Sequence, residues 1–364
     1  MNNRRNWIKE TGLGILGMSL GININAQTIT KEQPSNSDSM TLLGLNENPY
    51  GPSPKALIAM QESISNANRY AFKTTTALIN AIAKKNEVTP ENVLLAPGST
   101  ELLDLTFQLT SQNKGSYIIA NNTFDYWTST KTDSEFKRIP IPLTKDKKHD
   151  LKAMFNAIQT DTKLIYICNP NNPTGTICNR KELLSFIEKA SEKVMILIDE
   201  AYIDYTEEES LGNLGITNKN VIITKTFSKL HGLAGARIGY AIGHTSTIKK
   251  LKELKSWPNG NLSLISMAGA LVSLQDHAFT EKVKQLNKEA KEYTIKEFQK
   301  VKITTIPSYT NFLYFSLENY PKDYLQQLTL NRIKGSRIYE ENGKWSRITI
   351  GNIEEMKILI SALQ

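Results

Sequence analysis

Between Val93 and Ile242 six short apolar runs recur, most of them separated by stretches with helical spacing, and this alternation leaves the chain few architectures to choose from. The runs are Val93–Ala96, Tyr117–Ala120, Leu164–Cys168, Val194–Ile198, Val221–Lys225 and Arg237–Ile242. The intervening helical stretches are Glu101–Thr110, Asp125–Thr132, Leu151–Ala157 and Lys181–Lys193. Strands joined by crossover helices form a mostly parallel sheet covered on both faces, so a three-layer α/β domain is expected. After Pro258 the texture changes. A charged helical stretch, Asp276–Lys300, leads to Val301–Ile306, Asn311–Ser316 and Arg347–Gly351, and a helix from Ile353 closes the chain, the pattern of a smaller α+β domain.

The N-terminus reads differently from this body. Met1–Lys9 is basic, Leu13–Ile24 is a glycine-interrupted apolar run, and Ala26 supplies a small residue, the three parts of an export signal. Arg4-Arg5-Asn6-Trp7-Ile8-Lys9 also resembles the twin-arginine export motif, with Asn3 in place of the hydroxyl residue. Residues 1–26 are therefore expected to direct export, with a cytoplasmic location as the alternative, and 27–40 to form a polar linker. Cleavage after Ala26 would remove three cations and one anion, taking the net charge from +8 to +6. Forty per cent hydrophobic residues exclude disorder, and two cysteines exclude a disulfide scaffold. No stretch reaches the ~20 apolar residues of a spanning helix, so no membrane association is expected beyond an uncleaved leader. The cations are scattered rather than patched, which argues against nucleic acid as a partner.

Four segments place polar residues at the ends of apolar runs, where an open parallel sheet binds its ligands. They are Pro97–Glu101 (PGSTE), Asn169–Gly175 (NPNNPTG), Asp199–Tyr202 (DEAY) and Thr226–Arg237 (TFSKLHGLAGAR). Gly98, Ser99 and Thr100 open a helix, whose free N–H groups suit a phosphate; equally, Ser99 or Thr100 can simply cap that helix. The hydroxyls of Thr226 and Ser228 and the Arg237 guanidinium can close round a phosphate dianion, while Lys229 can form a Schiff base with a carbonyl. No strand–GxGxxG–helix order surrounds Gly232, Gly235 and Gly239, which removes a dinucleotide reading. Asp199 ends the run VMILID, where burial demands a cationic partner such as a protonated ring nitrogen. Asp199 and Glu200 can also be read as a metal or acid–base pair, but successive residues at a strand end point oppositely. The four histidines, His149, His231, His244 and His277, lack ligand spacing. Cys168 and Cys178 read as free thiols, and no metal site is expected.

Together and in this order the four segments resemble the pyridoxal-phosphate aminotransferases of fold type I, in particular the histidinol-phosphate aminotransferase branch. Leu45-Asn46-Glu47-Asn48-Pro49-Tyr50-Gly51-Pro52 is similar to that branch's N-E-N-P-x-G-P opening. Asn68-Arg69-Tyr70 is similar to its N-R-Y segment, and Ser346–Gly351 to its R-I-T-x-G. The resemblance covers Leu45 to the C-terminus and implies pyridoxal phosphate as cofactor, with an amino group passing from an L-amino acid or amine to a 2-oxo acid. It implies the following roles. Lys229 holds the cofactor and shuttles a proton. Asp199 pairs with the ring nitrogen, Tyr202 and Asn172 meet the phenolic oxygen, and Phe124 stacks on the ring. Gly98, Ser99, Thr100, Thr226, Ser228 and Arg237 hold the phosphate, joined by Tyr70 from a partner subunit, so a homodimer is expected. Arg347 clamps the substrate carboxylate, with Asn48 and Asn311 lining the site. A further cation for a substrate phosphate lies among Arg332, Lys334 and Arg337, with Arg337 taken as the candidate. The implied domains are an N-terminal segment over 41–60 packing on the small domain, a large cofactor-binding domain over 61–255, and the small domain over 256–364. A decarboxylase or lyase on the same fold, similar to threonine-phosphate decarboxylase, is the alternative chemistry, and a non-catalytic binding protein is the reading from another class.

Overall fold

In the computed structural model, residues 40–129, 135–258, 261–340 and 342–364 are described. The expected export signal over 1–26 and all of the linker but Met40 lie outside them, as does the end of the helix expected over Asp125–Thr132. The central element is a seven-stranded sheet built from β2 (Val93–Ala96), β3 (Gly115–Ala120), β4 (Phe136–Ile141), β5 (Thr162–Cys168), β6 (Met195–Asp199), β7 (Val221–Thr226) and β8 (Gly239–Gly243). Its order is β2-β8-β7-β6-β5-β3-β4. From β7 to β4 every pairing is parallel, and β8 runs against both neighbours, so the sheet is mostly parallel as expected.

Alternation along the strands divides the core. Leu164, Tyr166 and Cys168 of β5 join Leu197 of β6 and Ile222 of β7 in one apolar layer with Leu102 and Phe107 from the helix Ser99–Thr110. Ile165, Ile167, Ile196, Ile198 and Ile223 face the opposite layer, with Leu183 and Phe186 of the helix Arg180–Ser191. Asn179 caps that helix by accepting from the Glu182 backbone N–H. One strand, β4, is absent from the expected set. It contains Pro140, which donates no hydrogen bond, and only Phe136 and Ile141 are buried. Its place at the edge of the sheet, with Pro140 opposite Ile119, is where a proline is tolerated.

The C-terminal residues build a four-stranded antiparallel sheet in the order β12 (Ile338–Tyr339), β13 (Trp345–Thr349), β10 (Phe312–Ser316) and β9 (Thr304–Thr305). The long helix His277–Lys300 and the closing helix Ile353–Leu363 supply Ala290, Phe298, Met356 and Leu359 to its core. Strand β1 (Thr41–Leu42) crosses to pair in parallel with β11 (Ile333–Lys334), and Leu43 enters the same C-terminal core. Leu43 is 1% exposed whereas its neighbour Leu42 is 55% exposed. Leu43→Ala is therefore expected to lower the unfolding free energy by about 2–5 kcal/mol, and Leu42→Ala to change it by no more than about 0.5 kcal/mol, in urea titrations of the two variants.

Candidate active site

Register in the central sheet aligns three strand ends. Cys168 of β5 lies beside Asp199 of β6, and Asp199 beside Thr224 of β7. The chain leaves β5 through Asn169–Gly175, a turn stapled by its own asparagines. Asn169 Oδ1 accepts from the Cys178 N–H at 2.8 Å, and Asn171 donates to the Asn122 carbonyl and the Thr174 hydroxyl, both at 2.9 Å. With those side chains committed, Asn172 is left to face a cavity of about 590 Å³. Asp199, Tyr202, Thr226, Ser228, Lys229 and Arg237 line the same cavity, as do Ser99, Thr100, Phe124, Arg337 and Arg347.

Asp199 is 2% exposed. Its carboxylate accepts from the Tyr166 hydroxyl at 3.1 Å, the Ala201 N–H at 3.1 Å and the Thr224 hydroxyl at 3.4 Å. Burial nevertheless dominates and lifts the carboxyl to about 6, against the lowering effect of those bonds and of Lys229. Among the described residues no cation forms an ion pair with it, which is what a protonated ring nitrogen would supply.

Lys229 sits opposite. Its amine donates to the carbonyls of Leu45 at 3.1 Å and Asn46 at 3.2 Å, and lies 5.7 Å from the centre of the Tyr202 ring. Burial first, then Arg347 and Arg237, lower its pKa to about 8, with Glu47 and Asp199 opposing. A lysine lowered to about 8 gives up its proton far more readily than an ordinary lysine, and the neutral amine is the form that attacks a carbonyl. The Tyr202 hydroxyl accepts from the Asn46 amide at 2.9 Å.

The phosphate end is shaped by glycine. Gly98, at φ 85°, precedes the helix Ser99–Thr110, and a Cβ there would collide with the Arg237 guanidinium. Gly239 lies so close to the Ser99 N–H that a Cβ would stand 2.7 Å from it. Thr226 donates to the Ser228 hydroxyl at 2.9 Å, and Arg237 reaches both the Ser228 hydroxyl, at 3.5 Å, and the Ala234 carbonyl, at 3.0 Å. Helix N-terminus, two hydroxyls and a guanidinium form a dianion cradle that only glycine at 98 leaves open. Cradle, amine and acid-seeking carboxylate together fit pyridoxal phosphate.

The other expected residues divide. Arg347 is 7% exposed and donates to Asn172 Oδ1 and, at 2.6 Å, to the Gly44 carbonyl, while its Nε has no partner among the described residues. Of the three cations considered for a substrate phosphate, Lys334 and Arg337 line the cavity and Arg332 does not. Asn48 and Asn311 lie outside its wall. Asn48 donates to the Leu230 carbonyl and accepts from the Tyr50 N–H, and Asn311 donates to the carbonyls of Asn46 and Glu47. They brace the wall rather than form it. Tyr70 is 72% exposed beside Trp257, away from this chain's own cavity.

Three contributors escaped the sequence reading. Tyr166 carries the hydroxyl on Asp199, and its signal was a tyrosine inside an apolar strand, which needs a buried partner. Asn46, at φ 55° and 1% exposed, bonds Tyr202 and offers Lys229 a carbonyl. Tyr339 presents its ring to Arg337 at 5.0 Å and to Arg347 at 5.9 Å, and no local pattern marks it.

The sequence matches the family described as Aminotransferase class I and II over residues 38–363. A histidinol-phosphate aminotransferase of Moorella thermoacetica is 31% identical over 328 residues, covering 88% of this chain and 84% of the relative. Its counterpart from Caldicellulosiruptor saccharolyticus is 35% identical over 296 residues, covering 80% of this chain and 81% of the relative. The structure of histidinol-phosphate aminotransferase from Sinorhizobium meliloti in complex with pyridoxal-5'-phosphate superposes with a TM-score of 0.81 at 24% identity, covering 89% of each chain.

The Asp199 carboxyl gives a stability test. Raised from 3.8 to about 6, it holds its proton in the folded state at pH values where the unfolded chain has released it. The destabilisation is thus absent below pH 4 and complete above about pH 6. Stripped of cofactor, Asp199→Asn should be more stable than the unsubstituted protein above pH 6, by up to about 3 kcal/mol, and equal to it near pH 4. Thermal melts of both apoproteins across that range check the sign.

Proposed function

Since the chain belongs to the class I and II aminotransferases, we propose that its amino donor is histidinol phosphate or a closely similar phosphorylated amine, and its acceptor a 2-oxo acid. The chain is a pyridoxal-phosphate-dependent aminotransferase. The observation that carries the donor proposal is the presence of Lys334, Arg337 and Arg347 on the wall of the cavity that holds Lys229. A substrate with one carboxylate needs one clamp. Three cations suit a donor whose phosphate takes the place of a carboxylate, and relatives at 31% and 35% identity are histidinol-phosphate aminotransferases.

Pyridoxal phosphate, when bound, supplies a carbonyl for exchange with the donor amine and a ring that accepts electrons. The protein's part follows from its own groups. Gly98, Ser99, Thr100, Thr226, Ser228 and Arg237 would hold the phosphate, and Asp199 would keep the ring nitrogen protonated. Tyr202 and Asn172 would meet the ring oxygen, and Phe124 would pack on the ring. Lys229 would hold the cofactor at rest and, with its amine free, would move the proton at the donor's Cα, a role suited to an amine near pKa 8. Arg347 offers a two-pronged site to the acceptor's carboxylate. In the donor half-reaction Arg337 and Lys334 take the phosphate.

We read the protein as a homodimer. Tyr70, Phe72 and Trp257, 72%, 56% and 47% exposed, make an aromatic patch of the kind that seeks a partner surface, and Tyr70 of a second subunit would then serve the phosphate site. Export is proposed on the leader alone. The twin-arginine route carries folded proteins, so the enzyme would acquire its cofactor before crossing. Replacing Arg4 and Arg5 by lysine should keep the protein in the cytoplasm, and fractionation showing an unchanged location would remove the proposal.

Visible absorption tests the function. The cofactor band should bleach on adding histidinol phosphate and return on adding a 2-oxo acid, whereas release of ammonia from that donor, or of CO₂ from an added phosphorylated amino acid, would oppose transamination. Lys229→Ala should lose about 10³-fold or more in turnover. Arg337→Ala should raise KM for the phosphorylated donor about tenfold or more and leave that for the 2-oxo acid within about twofold.

A further inference from the structure

Outside the cavity, behind its wall, lies a polar and aromatic cluster that the chemistry above does not use. Lys147 Nζ contacts both carboxylate oxygens of Glu340, at 2.8 and 2.7 Å, with the two side chains only 20% and 13% exposed. Tyr314 donates its hydroxyl to the same Glu340 at 2.8 Å. The Tyr314 ring stacks on Trp345 at 5.1 Å, and Lys147 Nζ stands 4.6 Å over that Trp345 ring. Both members of the ion pair adopt the left-handed backbone region, Lys147 at φ 60° and Glu340 at φ 65°. Non-glycine residues stay there only when surrounding contacts hold them.

This pair joins two walls of the active site. The carbonyl of Lys147 accepts from the Thr176 hydroxyl at 2.7 Å, and the Thr176 carbonyl accepts from the Asn171 N–H at 2.8 Å, in the turn that carries Asn172. On the other side Glu340 follows Tyr339, which lines the cavity, contacts Tyr314 edge-on at 5.9 Å, and faces Arg337 and Arg347. Neither Lys147 nor Glu340 lines the cavity.

We infer that Lys147 and Glu340 are positioning residues, an ion-pair tie that sets the spacing between the Asn172 turn and the Tyr339 wall, and through it the seat that Arg337 and Arg347 offer to anionic substrates. The inference rests on the aminotransferase reading, and its identification of which donor uses that seat rests on the proposed function. Breaking the tie leaves Lys229, Asp199 and the phosphate cradle in place, and the Asn172 turn keeps its own asparagine bonds, so it is the Tyr339 wall that loses its anchor. It should therefore weaken substrate binding without slowing the chemistry or loosening the cofactor.

The test is a double-mutant cycle on the holoenzyme with Lys147→Met, Glu340→Gln and the pair, plus Lys147→Arg. Half-reactions are followed by absorbance, with histidinol phosphate on the pyridoxal form and 2-oxoglutarate on the pyridoxamine form. Each single variant should raise the half-saturation constant for both anions about tenfold, with maximal rates within about twofold and the cofactor band undiminished. The double variant should be no worse than either single, and Lys147→Arg should stay close to the unsubstituted enzyme. Unchanged half-saturation constants, losses that multiply in the double variant, or cofactor loss in parallel with substrate binding would each overturn the tie. If the unsubstituted enzyme ignores histidinol phosphate but reacts with 2-oxoglutarate, the donor proposal alone fails, and the cycle is still read on the second half-reaction.

Discussion

Burying the Asp199 carboxylate is the demand to which the rest of the site answers. A strand as apolar as β6 ends in an acid that water scarcely reaches, and three hydrogen bonds do not offset the loss of solvation, since the carboxyl still rises to about 6. The protein leaves that demand open. Lys229 is near enough to lower the carboxyl, yet its amine is spent on two backbone carbonyls and is itself pushed toward neutrality. A site with an anion short of its cation and a lysine that readily gives up its proton is prepared for a ligand that brings a protonated ring nitrogen and an electrophilic carbonyl. The two perturbations belong together. A Lys229 amine fully charged and paired with Asp199 would satisfy both groups and leave neither free for the cofactor.

The first described residues complete what the sheet begins. Lys229 is held by carbonyls of Leu45 and Asn46, residues more than 180 positions away, and Asn46 reaches Thr349 across 303 positions. Gly232, at φ 69°, has the Gly51 carbonyl where a Cβ would be. The N-terminal segment therefore runs between the lysine loop and the C-terminal sheet, touching both. That arrangement gives Arg347, on β13, access to the cavity built at the ends of β5, β6 and β7.

The legible part of this structure is the part that is local. Strands of the central sheet, the Asn169–Gly175 turn and the Thr226–Arg237 loop stand out because apolar runs end abruptly in residues with specific chemistry. β4 did not, because Pro140 and the exposed residues between Phe136 and Ile141 give it neither an apolar run nor alternation. The two-residue strands β11 and β12 have no periodicity to detect, although they set which cations meet the cavity. Residue type and spacing do not choose among Arg332, Lys334 and Arg337; the folded cavity does, with Lys334 and Arg337 on its wall and Arg332 not. Asn48 and Asn311 sit in segments that read as binding motifs, yet each spends its amide on backbone carbonyls. A motif marks where a residue is needed, and only packing tells whether it touches the ligand or holds what does.

An aminotransferase must admit two unlike substrates to one cavity, and the distribution of cations here suggests how a single wall serves both. Arg347 is anchored at two points, on Asn172 and Gly44, so its guanidinium is fixed relative to the ring-binding residues and suits the carboxylate common to 2-oxo acids. Arg337 is held differently, by the face of the Tyr339 ring, in the segment just before the two-residue strand β12, which pairs with β13. On the proposed function, the clamp fixed at two points would hold the carboxylate of the 2-oxo acid, and the second cation, on a lighter element, would take the donor's phosphate, a division of labour by stiffness. Both meet at Tyr339, whose ring faces the two guanidinium groups. On the proposed function, discrimination between the half-reactions would depend on where that one ring is held.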